Sequence, residues 1–132
     1  MKNYAIVIGV SEYNHAQCLP ACKNDAETMG QLLQATEKYD VLIISEKIGK
    51  AELLEKIESF LPIESNDSIG ELFFYFSGHG MQNTETYFVL YDTDLAKINS
   101  TALKNSEIDD LVRRRNPSLY VKIMNCGFQN HG

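Results

Sequence analysis

The stretch Leu72-Phe73-Phe74-Tyr75-Phe76 limits what this chain can fold into more than any other. Five large apolar residues in succession leave no polar face, so the strand they form must be covered on both sides, as in the middle of a parallel sheet. The run gives way to Ser77-Gly78-His79-Gly80, where two glycines predict a tight turn. A histidine is thereby presented at the carboxyl end of a central strand, where open α/β sheets place their sites. His79 is the first candidate functional residue.

The rest of the chain supplies neighbours for that strand. Residues 4–10, 41–44, 87–91 and 119–124 are further apolar runs of strand length. Helical patterns lie between them. Residues 11–22 read as a loop, and Asn24 with Glu27 three residues on reads as a helix start, followed by Ala26, Met29, Leu32 and Leu33 on one face. Residues 51–61 place Leu53, Leu54, Ile57, Phe60 and Leu61 on one face, and Pro62 closes the segment. Residues 106–109 resemble a capping box, with Ile108, Leu111 and Val112 as a short apolar face. Strand and helix alternate, which predicts an α/β fold with a mostly parallel central sheet and helices on both faces, reached by right-handed crossovers. The 132 residues suffice for a single domain, 1–132, with a sizeable core.

Composition then narrows the function. The net charge is -6, and the only basic cluster, Arg113-Arg114-Arg115, ends a predicted helix, where cations complement the helix dipole. A nucleic-acid module is therefore not expected. No apolar run is long or pure enough to cross a membrane, and the opening residues read as a strand rather than a signal peptide, because Gly9, Ser11 and Glu12 follow at once. Three cysteines imply no disulfide framework, so a reducing cytoplasm is the expected location. His15, Cys18 and Cys22 share one loop but lack a fourth ligand at zinc-like spacing, so no metal is expected there. The first strand leads into Gly9-Val10-Ser11-Glu12-Tyr13 with no glycine-rich phosphate loop, which argues against nucleotide or flavin binding.

Two strands end in polar, glycine-bearing segments with a reactive side chain. One carries His79, the other Cys126 within Asn125-Cys126-Gly127. In a parallel sheet those ends lie at the same edge. A thiol near an imidazole is the minimum machinery of cysteine-based acyl transfer: the histidine takes the proton, the thiolate attacks a carbonyl, and backbone N–H groups hold the oxyanion. Gly80 suits the last role, since a carbonyl oxygen can approach its N–H closely. Buried cysteines are commoner than catalytic ones, so on these residues alone both readings stay open.

The sequence resembles the caspase-like cysteine peptidases, especially metacaspases and bacterial caspase-like proteins. The matching residues are Ala5-Ile6-Val7-Ile8-Gly9-Val10 with Tyr13, then Leu19, Asn24-Asp25-Ala26, Met29 and Leu32-Leu33. They continue through Phe74-Tyr75-Phe76-Ser77-Gly78-His79-Gly80 and residues 87–94, and end in Lys122-Ile123-Met124-Asn125-Cys126. The resemblance implies a caspase-like three-layer sandwich, His79 as the catalytic histidine, and a nucleophilic cysteine just after the last strand. The family usually reads Asp, any residue, Cys, any residue, Ser, Gly at that point. Laid on without gaps, the pattern puts Asn125 at the Asp, Cys126 at the free position and Gly127 at the nucleophile. Either Cys126 is the neighbouring cysteine that metacaspases often carry, with the nucleophile lost, or the segment is shifted by one residue and Cys126 attacks. Cys126 is the expected nucleophile, as the thiol at the right strand end.

The resemblance also implies a pocket for a basic P1 residue (the residue before the scissile bond) made by Asp25, Ser77 and Asn125, an amide replacing one carboxylate. One carboxylate still holds an arginine through a bidentate pair. Asp25 reads equally well as a charge near a helix start. No cofactor is expected. The calcium that some metacaspases need would draw on Asp92, Asp94, Asp109 and Asp110, which otherwise shape a turn and a solvated helix face. Family members continue beyond the nucleophile with strands that finish the sheet, whereas six residues follow Cys126 here. The chain thus reads as the large-subunit part of such a domain, incomplete on its C-terminal side, with an edge to be covered by a missing segment or another chain. The expected function is a cysteine endopeptidase acting on protein or peptide substrates after Arg or Lys, with no nucleic-acid or membrane partner. The alternative is an inactive or truncated caspase-fold module acting in binding or regulation.

Overall fold

In the computed structural model, which describes residues 1–62 and 69–130, the apolar run becomes part of β3 (Ile69–Gln82) at the centre of the sheet. β1 (Lys2–Gly9) lies along one edge of it and β6 (Leu119–Asn130) along the other, both parallel to it. β2 (Tyr39–Ile44) pairs in parallel with the far side of β1. Past the end of β1, the last residues of β3 take an antiparallel partner, β4 (Thr86–Phe88), which in turn pairs with β5 (Leu103–Lys104). The sheet is therefore parallel in its body and antiparallel at one corner.

Side-chain alternation sends successive residues to opposite faces, and each face has its own helices. Ile6, Ile8, Leu72, Phe74 and Phe76 pack with Leu53 and Ile57 of α2 (Lys50–Phe60) and with Ile108, Leu111 and Val112 of α4 (Asn105–Arg113). Ala5, Val7 and Tyr75 on the other face pack with Ala26 and Leu33 of α1 (Pro20–Ala35). A 3-10 turn, Leu95–Lys97, and a one-turn helix, α3 (Ile98–Thr101), close the connection to β5. The result is a three-layer sandwich. Because β1 has β2 on one side and β3 on the other, the segments leaving β1 and β3 meet at the point where the winding reverses, the usual place for a site in such sheets.

Several elements differ from expectation, each for a physical reason. β3 does not break at Ser77-Gly78-His79-Gly80 but runs on to Gln82, and no described glycine has a positive φ. Partners on β6 and β4 continue the ladder through this segment. Gly78 is needed for close approach instead: a Cβ there would stand 2.6 Å from the Tyr13 Oη. α1 starts at Pro20 rather than at Asn24, since proline at a first helical position has its φ already set and needs no partner for an N–H. Leu32 falls outside the buried face of that helix and is 60% exposed. α4 begins at Asn105 with Lys104 as its cap, two residues ahead of the expected cap at Ser106, and the Glu107 carboxylate accepts from the Lys104 N–H at 2.9 Å. β6 continues through Asn125-Cys126-Gly127 rather than ending there.

Candidate active site

His79 is held from every side. Its N–H donates to the Tyr13 hydroxyl at 2.9 Å, and its carbonyl accepts from the Val89 N–H at 3.0 Å. Its ring meets the Tyr13 ring edge-on, with centroids 4.7 Å apart. Its Nε2 lies 2.7 Å from the Gln17 carbonyl oxygen. A carbonyl can only accept, so Nε2 must carry the proton. In the neutral ring, Nδ1 is then the basic nitrogen. The segment that carries Gln17 is itself pinned: the Leu19 N–H donates to the Ser11 carbonyl and the Asn14 N–H to the Tyr91 carbonyl, both at 2.8 Å. A cavity of about 130 Å³ opens beside His79 and Gly80, with apolar walls from Ala16, Met81, Val89 and Leu95.

The residues named for a basic P1 side chain come together. Ser77 is fully buried, and its hydroxyl donates to the Asp25 carboxylate at 3.4 Å. Asn125 stands level with Ser77 across the β3–β6 ladder and is exposed. Asp25 lies in the second turn of α1, because that helix begins at Pro20. The first turn of α1 has no acidic residue, so a role for Asp25 as a helix-start charge loses its basis.

Cys126 sits differently. On the parallel ladder it is level with Gly78, while Gly127 is level with His79. Paired residues of a parallel ladder present their side chains to the same face, and consecutive residues to opposite faces. Cys126 and His79 therefore leave their strands in opposite directions, and Cys126 packs on the core that holds Phe76. Burial pushes its thiol up to about 12, with Cys22 nearby adding to the shift. Among the described residues, a Cβ placed on Gly127 would meet nothing within 4 Å. Gly80, the candidate oxyanion donor, is buried level with Phe88 of β4 and Phe128 of β6.

Two of the four aspartates named for calcium, Asp94 and Asp109, have separate structural tasks. Asp94 caps the 3-10 turn by accepting from the Ala96 N–H at 3.0 Å. Asp109 accepts from the Lys122 ammonium at 2.8 Å and from the Tyr120 hydroxyl at 3.0 Å, tying α4 to β6. Among the described residues, no three His, Cys, Asp or Glu side chains group as metal ligands would. No described helix is long and apolar enough to cross a membrane.

Two features of the site were not legible beforehand. Gln17 acts through its backbone carbonyl, so its side-chain identity carries no signal. The task of Tyr13 depends on a loop returning to the end of β3, a contact 66 residues apart in sequence.

Comparison with known proteins places these observations. A caspase-domain family model matches residues 2–127, and the chain belongs to that family. Among solved structures, the fold is similar to that of protein GSU0716 from Geobacter sulfurreducens, at 18% identity and a TM-score of 0.66. The match covers 98% of this chain and 50% of that one, so this chain spans about half the length of the structure it resembles. The search of curated proteins finds no match.

Proposed function

We propose that this chain carries the catalytic part of a caspase-like cysteine endopeptidase that cleaves proteins or peptides after Arg or Lys. The observation that carries the reading is His79 at the carboxyl edge of the sheet. Its Nε2–H is tied to the Gln17 carbonyl, which leaves Nδ1 to accept a proton from a thiol. In this reading Cys126 is the nucleophile. His79 takes its proton, the thiolate attacks the scissile carbonyl, the Gly80 N–H supports the oxyanion, and His79 returns the proton to the leaving amine. Asp25, with Ser77 and Asn125 beside it, receives the guanidinium or ammonium of the P1 residue. For Cys126 to attack, the end of β6 must rotate so that the thiol crosses to the face of the sheet that carries His79. The free edge of β6 is where a further strand, from a longer polypeptide or a second copy, would extend the sheet.

A second reading is a caspase-fold module without peptidase activity. It is favoured by Gly127, which occupies the level of His79 and where, among the described residues, a Cβ would meet nothing within 4 Å. Hydrolysis of Arg- and Lys-containing peptides separates the two. The first reading expects cleavage that is lost in both Cys126→Ala and His79→Ala. The second expects no cleavage by the natural chain and its appearance in Gly127→Cys. Cleavage that survives Cys126→Ala would end the first reading.

A further inference from the structure

We propose that Tyr13 is the positioning residue of His79, and that Gly78 is glycine in order to admit the Tyr13 hydroxyl. This rests on the reading of His79 as the catalytic base. Three observations converge on Tyr13. It is buried at 8% exposure, its hydroxyl donates to the Val10 carbonyl at 2.9 Å, and the same oxygen accepts the His79 N–H at 2.9 Å. One phenol thus joins the exit of β1 to the backbone of the histidine, with both of its hydrogen-bonding capacities directed. Its ring then supplies the edge-on contact against the imidazole, at 4.7 Å between centroids and 61° between planes. The close fit is reciprocal. A Cβ on residue 78 would stand 2.6 Å from the Tyr13 Oη, closer than such atoms approach, and a tight 3.0 Å from the Phe76 Cζ.

The consequence concerns the tautomer. His79 keeps its proton on Nε2 only while the ring is aimed at the Gln17 carbonyl. Gln17 belongs to the same segment as Tyr13, between β1 and α1. The phenol therefore fixes the backbone from which the imidazole hangs, while the Leu19–Ser11 and Asn14–Tyr91 hydrogen bonds hold the strap that offers the carbonyl. Burial holds the Tyr13 phenol well above the usual tyrosine range, so it remains a protonated donor to Val10 across the working pH range. The Tyr13 hydroxyl touches no reacting atom, and its effect passes through His79.

The test is the imidazole nitrogen spectrum of His79, assigned by its loss in His79→Gln, together with exchange of the His79 amide proton. In the natural chain one tautomer, protonated at Nε2, and a slowly exchanging amide are expected. Tyr13→Phe keeps the ring and removes the hydroxyl. It should speed amide exchange at His79 by at least about tenfold and give a mixture of tautomers, while shifts of the core strands stay in place. Gly78→Ala should produce the same mixture with Tyr13 still present, because its methyl displaces the hydroxyl, and it decides the matter if Tyr13→Phe does not fold. A single Nε2-protonated tautomer and unchanged amide exchange in either folded variant would overturn the proposal. None of these readouts requires cleavage. If the spectra respond as expected and no peptide is hydrolysed, the peptidase reading fails and the positioning role stands.

Discussion

At Cys126 the chemistry of one side chain is set by its surroundings. A cysteine acts as a nucleophile through its thiolate, and burial works against that charged form. The shift up to about 12 means that Cys126 rests as the protonated thiol at neutral pH, with far less thiolate than a free cysteine. The group is a protonated thiol below about 12, and its thiolate fraction climbs about tenfold with each unit of pH up to that point. Alkylation by iodoacetamide, followed by peptide mass mapping, measures this with exposed Cys18 as the internal reference. Cys126 should react at least about tenfold more slowly than exposed Cys18 at pH 7.5, and the gap should close in urea. Equal rates in the folded chain would show that the thiol is not buried as described.

Between elements, the most restrictive contact is that of α1 on the end of β1. Gly9 is the last residue of β1, and a Cβ there would lie 2.5 Å from the Cys22 carbonyl oxygen and 2.5 Å from the Ala26 Cβ. A backbone oxygen cannot swing aside as a side-chain tip can, so the helix would have to move bodily. Gly9→Ala should therefore destabilise the chain by about 1–3 kcal/mol, read as a lower midpoint in urea unfolding. An unchanged midpoint would contradict the packing. The same element shows what the sequence reveals and what it hides. The apolar strands and amphipathic faces were legible because burial leaves a periodic trace. The start of α1 at Pro20 was hidden by the cysteines and small polar residues around it, which read as a loop. Continuation of β3 through Ser77-Gly78-His79-Gly80 was hidden because glycine signals a turn from sequence, whereas here Gly78 clears room for a distant phenol. His79 was named as a candidate from its residue type and its place after a buried strand, and Ser77 and Asp25 from the family resemblance. The opposed directions of His79 and Cys126 depend on strand register, which only pairing fixes.

Across the whole molecule, the parallel body of the sheet has one edge at β2 and another at β6. β6 pairs only with β3 among the described residues. Leu119, Ile123 and Met124 on β6 are exposed, in a chain that spans about half the length of the structure it resembles. Among the described residues, none of β6 joins the cluster that α1 forms with β1 and β3, whereas its other side is tied to α4 through Lys122 and Tyr120. The thiol thus lies on a strand paired on one side only among the described residues, and bringing it to the face of His79 requires the end of β6 to rotate out of its ladder with β3. Labelling of Cys126 by a peptide ending in an arginyl ketone, compared with its labelling by iodoacetamide, tests this account most directly. A caspase-like peptidase with His79 as base and Asp25 in its P1 pocket predicts a ketone adduct on Cys126 that forms far faster than the iodoacetamide product and is lost in His79→Ala. Absence of the adduct while iodoacetamide still labels Cys126, or an adduct that forms equally in His79→Ala, would contradict it.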